Sequence, residues 1–564
     1  MSKTRSRLVL AFKELRRRKV IRAAVLYLAA GMVVIEATDI LGPRIGLADW
    51  AQNLMMLTVG LGFLPALVLA WKYDWTVEGI VRDPERDREG TFHLAIDAFP
   101  ERELVPNSVA VLPFSSLMKG DDDIYFSEGI TEEINAALCR IPELRVISRT
   151  SVARLKDHIV GIRDLGRRLG VELVVEGSVR RQNGRVRIHA QAVDVDSEAS
   201  VWSEVYDRMV KDILEIQSDV AGRVAEALAM RLSPEMERRH RDERTDDPEA
   251  YDLYLKARYL WSHRTDDSMR QGLEHLERAL ELDPGFSLAR AAMALTHATM
   301  GLYGIEAPDR SMGLALAEAQ RTLELEPASS EALVARGCAR VMYRWEWTAA
   351  EADFRSAIQL APSYATAHQW LAMNLLAPRK RFDEAEEEVG HAAALDPISA
   401  AVGASQGVLA HFRRDHESAL AHFDQVERLH PEFAAVHFFR GQALDAAGKP
   451  SEAISSFERA IEETGGTAEM IAGLGHALAT AGRHRRAREC LERLAARDGW
   501  VSPCLRAQVQ TALGQNDAAL DELETAADLH APDLVWIGVR PTFDPIRTEP
   551  RFQELMRRIG LAPS

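Results

Sequence analysis

Residues 416–431, HESALAHFDQVERLHP, are followed 34 positions later by residues 450–465, PSEAISSFERAIEETG. The two stretches share an apolar ladder, with Ala419, Phe423 and Val426 in the first matched by Ala453, Phe457 and Ala460 in the second. The ladder is met upstream as Ala350, Phe354, Ala357 and as Ala385, Val389, Ala392. Downstream it returns as Ala487, Leu491, Leu494 and as Ala519, Leu523, Ala526. Steps of four and three residues put each trio on one stripe of a helix. Prolines end the pattern at Pro284, Pro327, Pro362, Pro397 and Pro431, and the last three intervals are 35, 35 and 34 residues. The 43-residue step from Pro284 to Pro327 predicts an insertion around Tyr303–Asp309. In the alternate helix, Gly407, Gly441 and Gly475 recur at 34.

A 34-residue unit of two helices, with small residues at their crossing and proline after the second, is the signature of the tetratricopeptide repeat. Seven or eight units are expected between about residues 250 and 530. Each is expected to bury its apolar face only against its neighbours, so that a middle unit such as 398–431 is removable.

A chain of 564 residues predicts several domains. A net charge of −16 argues against nucleic acid as a partner, because phosphate binding needs a basic surface. Cys139, Cys338, Cys490 and Cys504 have neither metal-site nor disulfide-framework spacing, which suits a reducing compartment.

The N-terminal arm is strongly basic, with nine Lys and Arg against Glu14 up to Arg22. An apolar run from Ala23 to Ile35 follows, and Val20–Leu41 is long enough to span if Arg22 snorkels and Glu36 lies near the far edge. A second run, Leu54–Trp71, holds 18 uncharged residues and is flanked by Trp50, Trp71, Tyr73 and Trp75, the aromatic edges of a membrane span. The two runs are read as a transmembrane hairpin. The loop Ala37–Asn53 carries one base, Arg44, so the positive-inside rule places both ends in the cytoplasm of a bacterial inner-membrane protein. Should only the second run span, everything after residue 75 is periplasmic.

At Ser108 the pattern changes to α/β. Strands are predicted at Ser108–Phe114, Arg145–Ser148, Val171–Arg181, Arg185–Asp194 and Val201–Tyr206. Helices are predicted at Ser127–Ile141, Gly161–Leu169 and Asp212–Leu232, and Gln182-Asn183-Gly184 reads as a hairpin turn. The motifs SVAVLPF (108–114), YFSEGITEEI (125–134), RVISRTS (145–151), LGVELVVEGSVRR (169–181), RVRIHAQAVD (185–194) and VWSEVYD (201–207) resemble the bacterial TolB amino-terminal-like domain, also found in FlgO-type proteins. FKELRRRKV (12–20) and WKYDWTVEGI (71–80) resemble the ends of the membrane anchor that precedes this domain in one bacterial group. WEWTAAEADF (345–354), YATAHQW (364–370) and PTFDPIRTEPRFQELMRRIGL (541–561) resemble that group's repeats and closing segment. Members are often labelled adenylate-cyclase-related, because relatives carry a cyclase or a winged-helix DNA-binding domain ahead of the same modules. About twenty residues precede the first apolar run here, too few for either domain. The resemblance therefore implies a non-enzymatic, envelope-associated scaffold or regulatory protein.

The fold class expected is thus an α/β domain with a mixed sheet followed by an all-α repeat solenoid, preceded by a two-helix transmembrane hairpin. The boundaries are a basic arm (1–19), the hairpin (20–75), a linker (76–106), the α/β domain (107–232), the repeat array (246–534) and a C-terminal capping segment (535–564).

Chemistry-bearing motifs are few. Gly60-Leu61-Gly62 falls in the second apolar run and Gly473-Leu474-Gly475 in a repeat helix, neither a context for cradling phosphate. His411, His416, His422, His430 and His437 are irregularly spaced and read as solvated repeat faces rather than a metal site. Asp121-Asp122-Asp123 reads as solvated surface, and Glu132 and Glu133 as acids offsetting a helix dipole. No catalytic residue, cofactor or metal is expected. A protein or peptide partner is expected on the concave repeat surface, with Trp370, Asn374, His411, Phe438 and Gln442 as contacts chosen by repeat position. Arg180, Arg181, Arg185 and Arg187 flank the hairpin turn as a basic patch for an acidic partner or lipid headgroups, or as charge protecting a sheet edge. The competing expectation is a ligand-sensing regulatory component, cyclase-associated or in envelope signalling, with the α/β domain as its ligand site.

Overall fold

A computed structural model of the chain describes strands at residues 73–76 and 79–82, most of residues 101–209, and residues 247–561 apart from a few loop positions. The basic arm, both apolar runs, the turn at Asn183-Gly184 and the helix expected at Asp212–Leu232 lie outside the described residues. Among the described residues no helix is long and apolar enough to cross a membrane. The chain divides into two compact units, Met1–His93 and Leu94–Ser564.

In the first unit, β1 (Tyr73–Thr76) and β2 (Gly79–Arg82) form an antiparallel hairpin that pairs Trp75 with Ile80. Two expectations change here. Tyr73 and Trp75, read as the edge of a membrane helix, lie in a strand, and the segment read as a structureless linker contains β2. Alternation of Tyr, Trp, Ile and Val with polar residues favours this pairing.

The second unit begins with a mixed sheet. Its strands are β3 (Val105–Val111), β4 (Ser115–Ser116), β5 (Arg145–Ile147), β6 (Val171–Gln182), β7 (Arg185–Asp194) and β8 (Ser200–Met209). The order is β5-β3-β6-β7-β8, with β4 alongside β6. Strand β3 runs parallel to β5 and β6, so Val109, Ala110 and Val111 are covered on both faces, as their unbroken apolar run predicts. Strands β6, β7 and β8 are antiparallel, and β7 alternates buried and exposed residues. Helices Arg149–Lys156 and Ile162–Leu169 share a cluster with Ala110, Ile147 and Val174, while Ile134 and Leu138 pack with Val109 and Val111.

Residues 248–528 form eight helix pairs. The helices of a pair cross where one residue is glycine. A methyl group added at Gly407 would lie 2.4 Å from the Phe423 ring, and one at Gly441 would lie 2.9 Å from Phe457. Both rings are fully buried, so the ladder seen in the sequence is the seam of each pair. Four first helices are N-capped by Ser329, Ser399, Thr467 and Ser502, whose side chains accept backbone N–H bonds left free at the helix start. The two 35-residue steps have a local cause. The first helices of their pairs end in π turns, Arg340–Arg344 and Leu371–Leu376, each of which absorbs the extra residue. The insertion expected near Tyr303–Asp309 is the long connection between Ser287–Leu302 and Pro308–Leu325.

The expectation that contacts run only between adjacent units is overturned twice. The sheet docks on the array through edge strand β5 and two inter-unit turns. The Ser363 hydroxyl donates to the Leu144 carbonyl (2.9 Å) and accepts from the Val146 N–H (3.2 Å). Ser148 N–H donates to Leu395 O (2.7 Å), and Arg145 donates to Ala394 O (2.8 Å). These bonds satisfy an edge that would otherwise invite foreign strands. Beside them, the Ser151 hydroxyl donates to Asp396 (2.7 Å) and accepts from Ile398 N–H (2.8 Å). The second exception is the C-terminal segment, described below.

Asp396 is fully enclosed at this docking, with only serines as polar company, and burial pushes its carboxyl up to about 6 from 3.8. The folded chain therefore holds a proton between pH 4 and 6 that the unfolded chain releases. Stability is expected to fall as pH rises through that window, by up to about 3 kcal/mol, and to stay at the lower level above it. Asp396→Asn should abolish this component. Urea midpoints of both proteins from pH 4 to 7 check it, and parallel curves would refute the assignment.

Candidate functional site: the inner face of the repeat array

First helices of successive pairs touch one another along the array, and their C-terminal ends line a common inner face. The chain itself covers much of it. After Asp528 it doubles back through two short 3₁₀ turns, Pro532–Trp536 and Pro541–Ile546, to helix Pro550–Arg558. Leu534, Val535, Phe543, Ile546 and Phe552 join one core with Val341, Leu371 and Leu376 of the third and fourth pairs. Polar bonds fix the register. The Trp347 indole donates to Ile559 O (2.7 Å), the Trp536 indole donates to Met373 O (2.8 Å), and His530 Nδ1 lies 2.7 Å from Tyr343 O. The segment expected to cap the last unit thus reaches back to the third.

Six successive pairs place a left-handed residue in the turn between their helices. They are Trp345, Lys380, Arg414, Gly448, Gly482 and Gly514, with φ of 57°, 59°, 70°, 75°, 73° and 71°. Glycine is the ordinary solution, since a Cβ costs roughly 1–2 kcal/mol in this region. The three exceptions are the turns under the returning segment. Trp345 stacks on His530 with ring centroids 4.5 Å apart. Arg414 donates to Val539 O and to Asp544, each at 2.7 Å. Lys380 lines the same crevice as Gly538, Val539 and Arg547. Trp345 and Arg414 offset the backbone cost by holding the tail.

Where the tail's Pro541–Ile546 turn meets the inner face of the fifth to eighth pairs, a small cavity of about 50 Å³ remains, lined by His411, Gln442, Asp445, Phe457, His476, Gln508 and the tail's own Thr542. That volume admits a few water molecules or the tip of one polar side chain. Asp445 is engaged by His476 (2.5 Å) and Thr480 (2.8 Å). His411 Nδ1 and Thr542 Oγ1 are buried without a hydrogen-bond partner among the described residues. Burial, assisted by His416, Arg414 and Arg540, pushes His411 down to about 3, so its ring is neutral and offers a donor and an acceptor.

The residues chosen by repeat position divide. Trp370, Asn374 and His411 are 5, 3 and 5 % exposed, so they do not offer an open contact surface. Trp370 ends the α-helical part of its first helix and is buried there, while Asn374 lies within the π turn, where one inserted residue rotates side chains by about 100° from the expected face. His411 looks into the cavity. Phe438 and Gln442 are half-buried, Phe438 packing 6.0 Å from the Phe457 ring and Gln442 lining the cavity. Sequence reasoning missed Asp445, His476, Gln508 and Thr542. A search for polar residues one 34-residue repeat apart in first helices would have found the pairs His411/Asp445 and Gln442/His476.

In the sheet, Arg180, Arg185 and Arg187 are exposed, and the side chain of Arg181 lies outside the described residues. Arg180 faces Arg187 across β6 and β7, while Arg185 pairs with Asp207 at 2.9 Å, which neutralises part of the patch. The five histidines do not converge. His411 and His416 lie 5.3 Å apart, and no metal-ligating group among the described residues includes them.

Comparison with known proteins agrees with this architecture. Two tetratricopeptide repeat family models match residues 406–468 and 444–499. The chain is 34% identical over 223 residues, 40% of its length, to a protein of Rhizobium meliloti (strain 1021) named putative adenylate cyclase 3. The match spans 37% of that relative. Among solved structures, a tetratricopeptide repeat protein from Parabacteroides merdae aligns at 13% identity with a TM-score of 0.30, covering 56% of this chain and all of that one. PilF of Pseudomonas aeruginosa aligns at 20% identity with a TM-score of 0.27, covering 41% of this chain and 98% of its own.

Arg414→Gly should relax its turn while releasing the tail. Amide exchange in residues 530–561 is expected to accelerate about tenfold or more, from loss of charged hydrogen bonds worth roughly 1.5–3 kcal/mol. Exchange in the outer helix of the seventh pair, His484–Ala495, should hold steady. Equal protection of residues 530–561 in both proteins would show that Arg414 does not retain the tail.

Proposed function

We propose that this protein is a non-enzymatic scaffold that binds a protein partner on the inner face of its repeat array, at the sixth and seventh pairs beside the returning tail. The observation that carries this reading is the array itself. Eight stacked pairs present the ends of their first helices on one side, and half-buried Gln442 and His476 border the cavity between those ends and the tail. An extended segment with a small polar side chain suits the 50 Å³ cavity, where His411 and Thr542 offer unused hydrogen-bonding atoms. The α/β domain, read as TolB amino-terminal-like from its motifs, is rigidly seated on the array by the β5 docking and would move with it.

The anchor is the second part of the proposal. The apolar runs within residues 20–75 form a two-helix membrane hairpin in the bacterial inner membrane, and the folded domains face the cytoplasm. The basic arm and the nearly base-free loop support that orientation. A reading as a ligand-sensing component of cyclase signalling draws on one observation, the name of the Rhizobium meliloti relative.

Two measurements test this. Proteins captured by the full chain should be lost at least tenfold when Gln442→Lys places a charge on the inner face, and undiminished capture would remove the inner face as the site. A fluorescent protein fused after residue 100 should light up while a phosphatase fused there stays silent. Phosphatase activity would move the folded domains to the periplasm.

A further inference from the structure

His368 lies in the first helix of the fourth pair, at Ala365–Trp370, and Glu388 and His391 lie in the second, at Phe382–Leu395. The spacing Glu-x-x-His puts the latter two on one helical face, one turn apart. Their ligating atoms converge with that of His368, and all three lie within 4.8 Å of one another. His368 Nδ1 is 2.6 Å from Glu388 Oε2, and His391 Nδ1 is 3.9 Å from the same oxygen.

The proton inventory of His368 leaves a position to fill. Its Nε2 lies 2.9 Å from the carbonyl oxygen of Pro362, which only accepts, so the Nε2 proton belongs there. A neutral ring has no second proton, and its Nδ1 lone pair then faces a carboxylate at 2.6 Å. A proton or a metal ion can bridge Nδ1 and the Glu388 carboxylate, and the convergence of His391 on the same oxygen favours the metal ion.

We propose that His368, Glu388 and His391 form a binding site for one divalent transition-metal ion of the zinc class. Two imidazoles and a carboxylate are a common donor set for such ions, at bond lengths of about 2.0–2.2 Å. Seating an ion opens the 2.6 Å contact by under an ångström and draws in His391, whose side chain is 65% exposed and free to turn. The Pro362 carbonyl fixes the tautomer that presents Nδ1 to the metal, the usual role of a second partner on a ligating histidine. A fourth position is left open toward solvent on the His391 side. The ion would pin the two helices of one pair to each other.

The test uses the full chain freed of metal by a chelator, then titrated with zinc against a chromophoric competitor. One equivalent should bind with micromolar or tighter affinity. His391→Ala and Glu388→Gln should each weaken binding at least tenfold with an unchanged helical circular-dichroism spectrum, and His391→Cys should restore it. Cobalt should give the visible absorption of a four-coordinate site, lost in His391→Ala. Absence of stoichiometric binding, or affinity unchanged by either His391→Ala or Glu388→Gln, would assign the cluster to a protonated ion pair and overturn the proposal.

Discussion

A phenylalanine ring packed against a glycine sets the spacing of the middle pairs. Phe423 on Gly407 and Phe457 on Gly441 leave no room for a methyl group, so the two helices of these pairs approach closely. Fixed pairs stack at a fixed rotation, and the rotation accumulates along the array. By the eighth pair the chain has curled far enough for residues after Asp528 to meet the third. The inner face, the buried tail and the turns that face it all inherit their positions from that crossing.

How much of this is legible in the sequence depends on whether the cause is local. Strands β5, β6 and β7 fall within a residue of their expected limits, because β-branched runs and period-2 alternation are written into the residues themselves. The helix pairs are equally legible, since six apolar trios at steps of four and three repeat the same packing problem. The π turns were not foreseen, although the 35-residue intervals record the extra residue that each absorbs. Family models match only residues 406–499, where the glycine turns 448 and 482 and the 34-residue period are both regular. Site residues fared worst. Counting along an unbroken helix misplaces Asn374, which lies within a π turn, and repeat position alone does not show that Trp370 is buried.

What escaped sequence reasoning altogether is long-range. The contact between Trp347 and Ile559 spans 212 residues, and that between Ser363 and Leu144 spans 219. Each is carried by an ordinary tryptophan or serine with no local signature. The signal that did exist was negative. At three consecutive turns where glycine belongs, the chain has Trp345, Lys380 and Arg414, and an expensive backbone with a large side chain implies a partner elsewhere.

Repeat proteins ordinarily evolve by duplicating or dropping whole units, because each unit answers only to its neighbours. The returning tail removes that freedom here. Adding or losing one pair between the third and the eighth would rotate His530, Val539 and Asp544 away from Tyr343 and Arg414, and would strand three costly turns without their partners. The tail therefore acts as a gauge of copy number. The number of units is thereby tied to a handful of hydrogen bonds between the two ends of the arc.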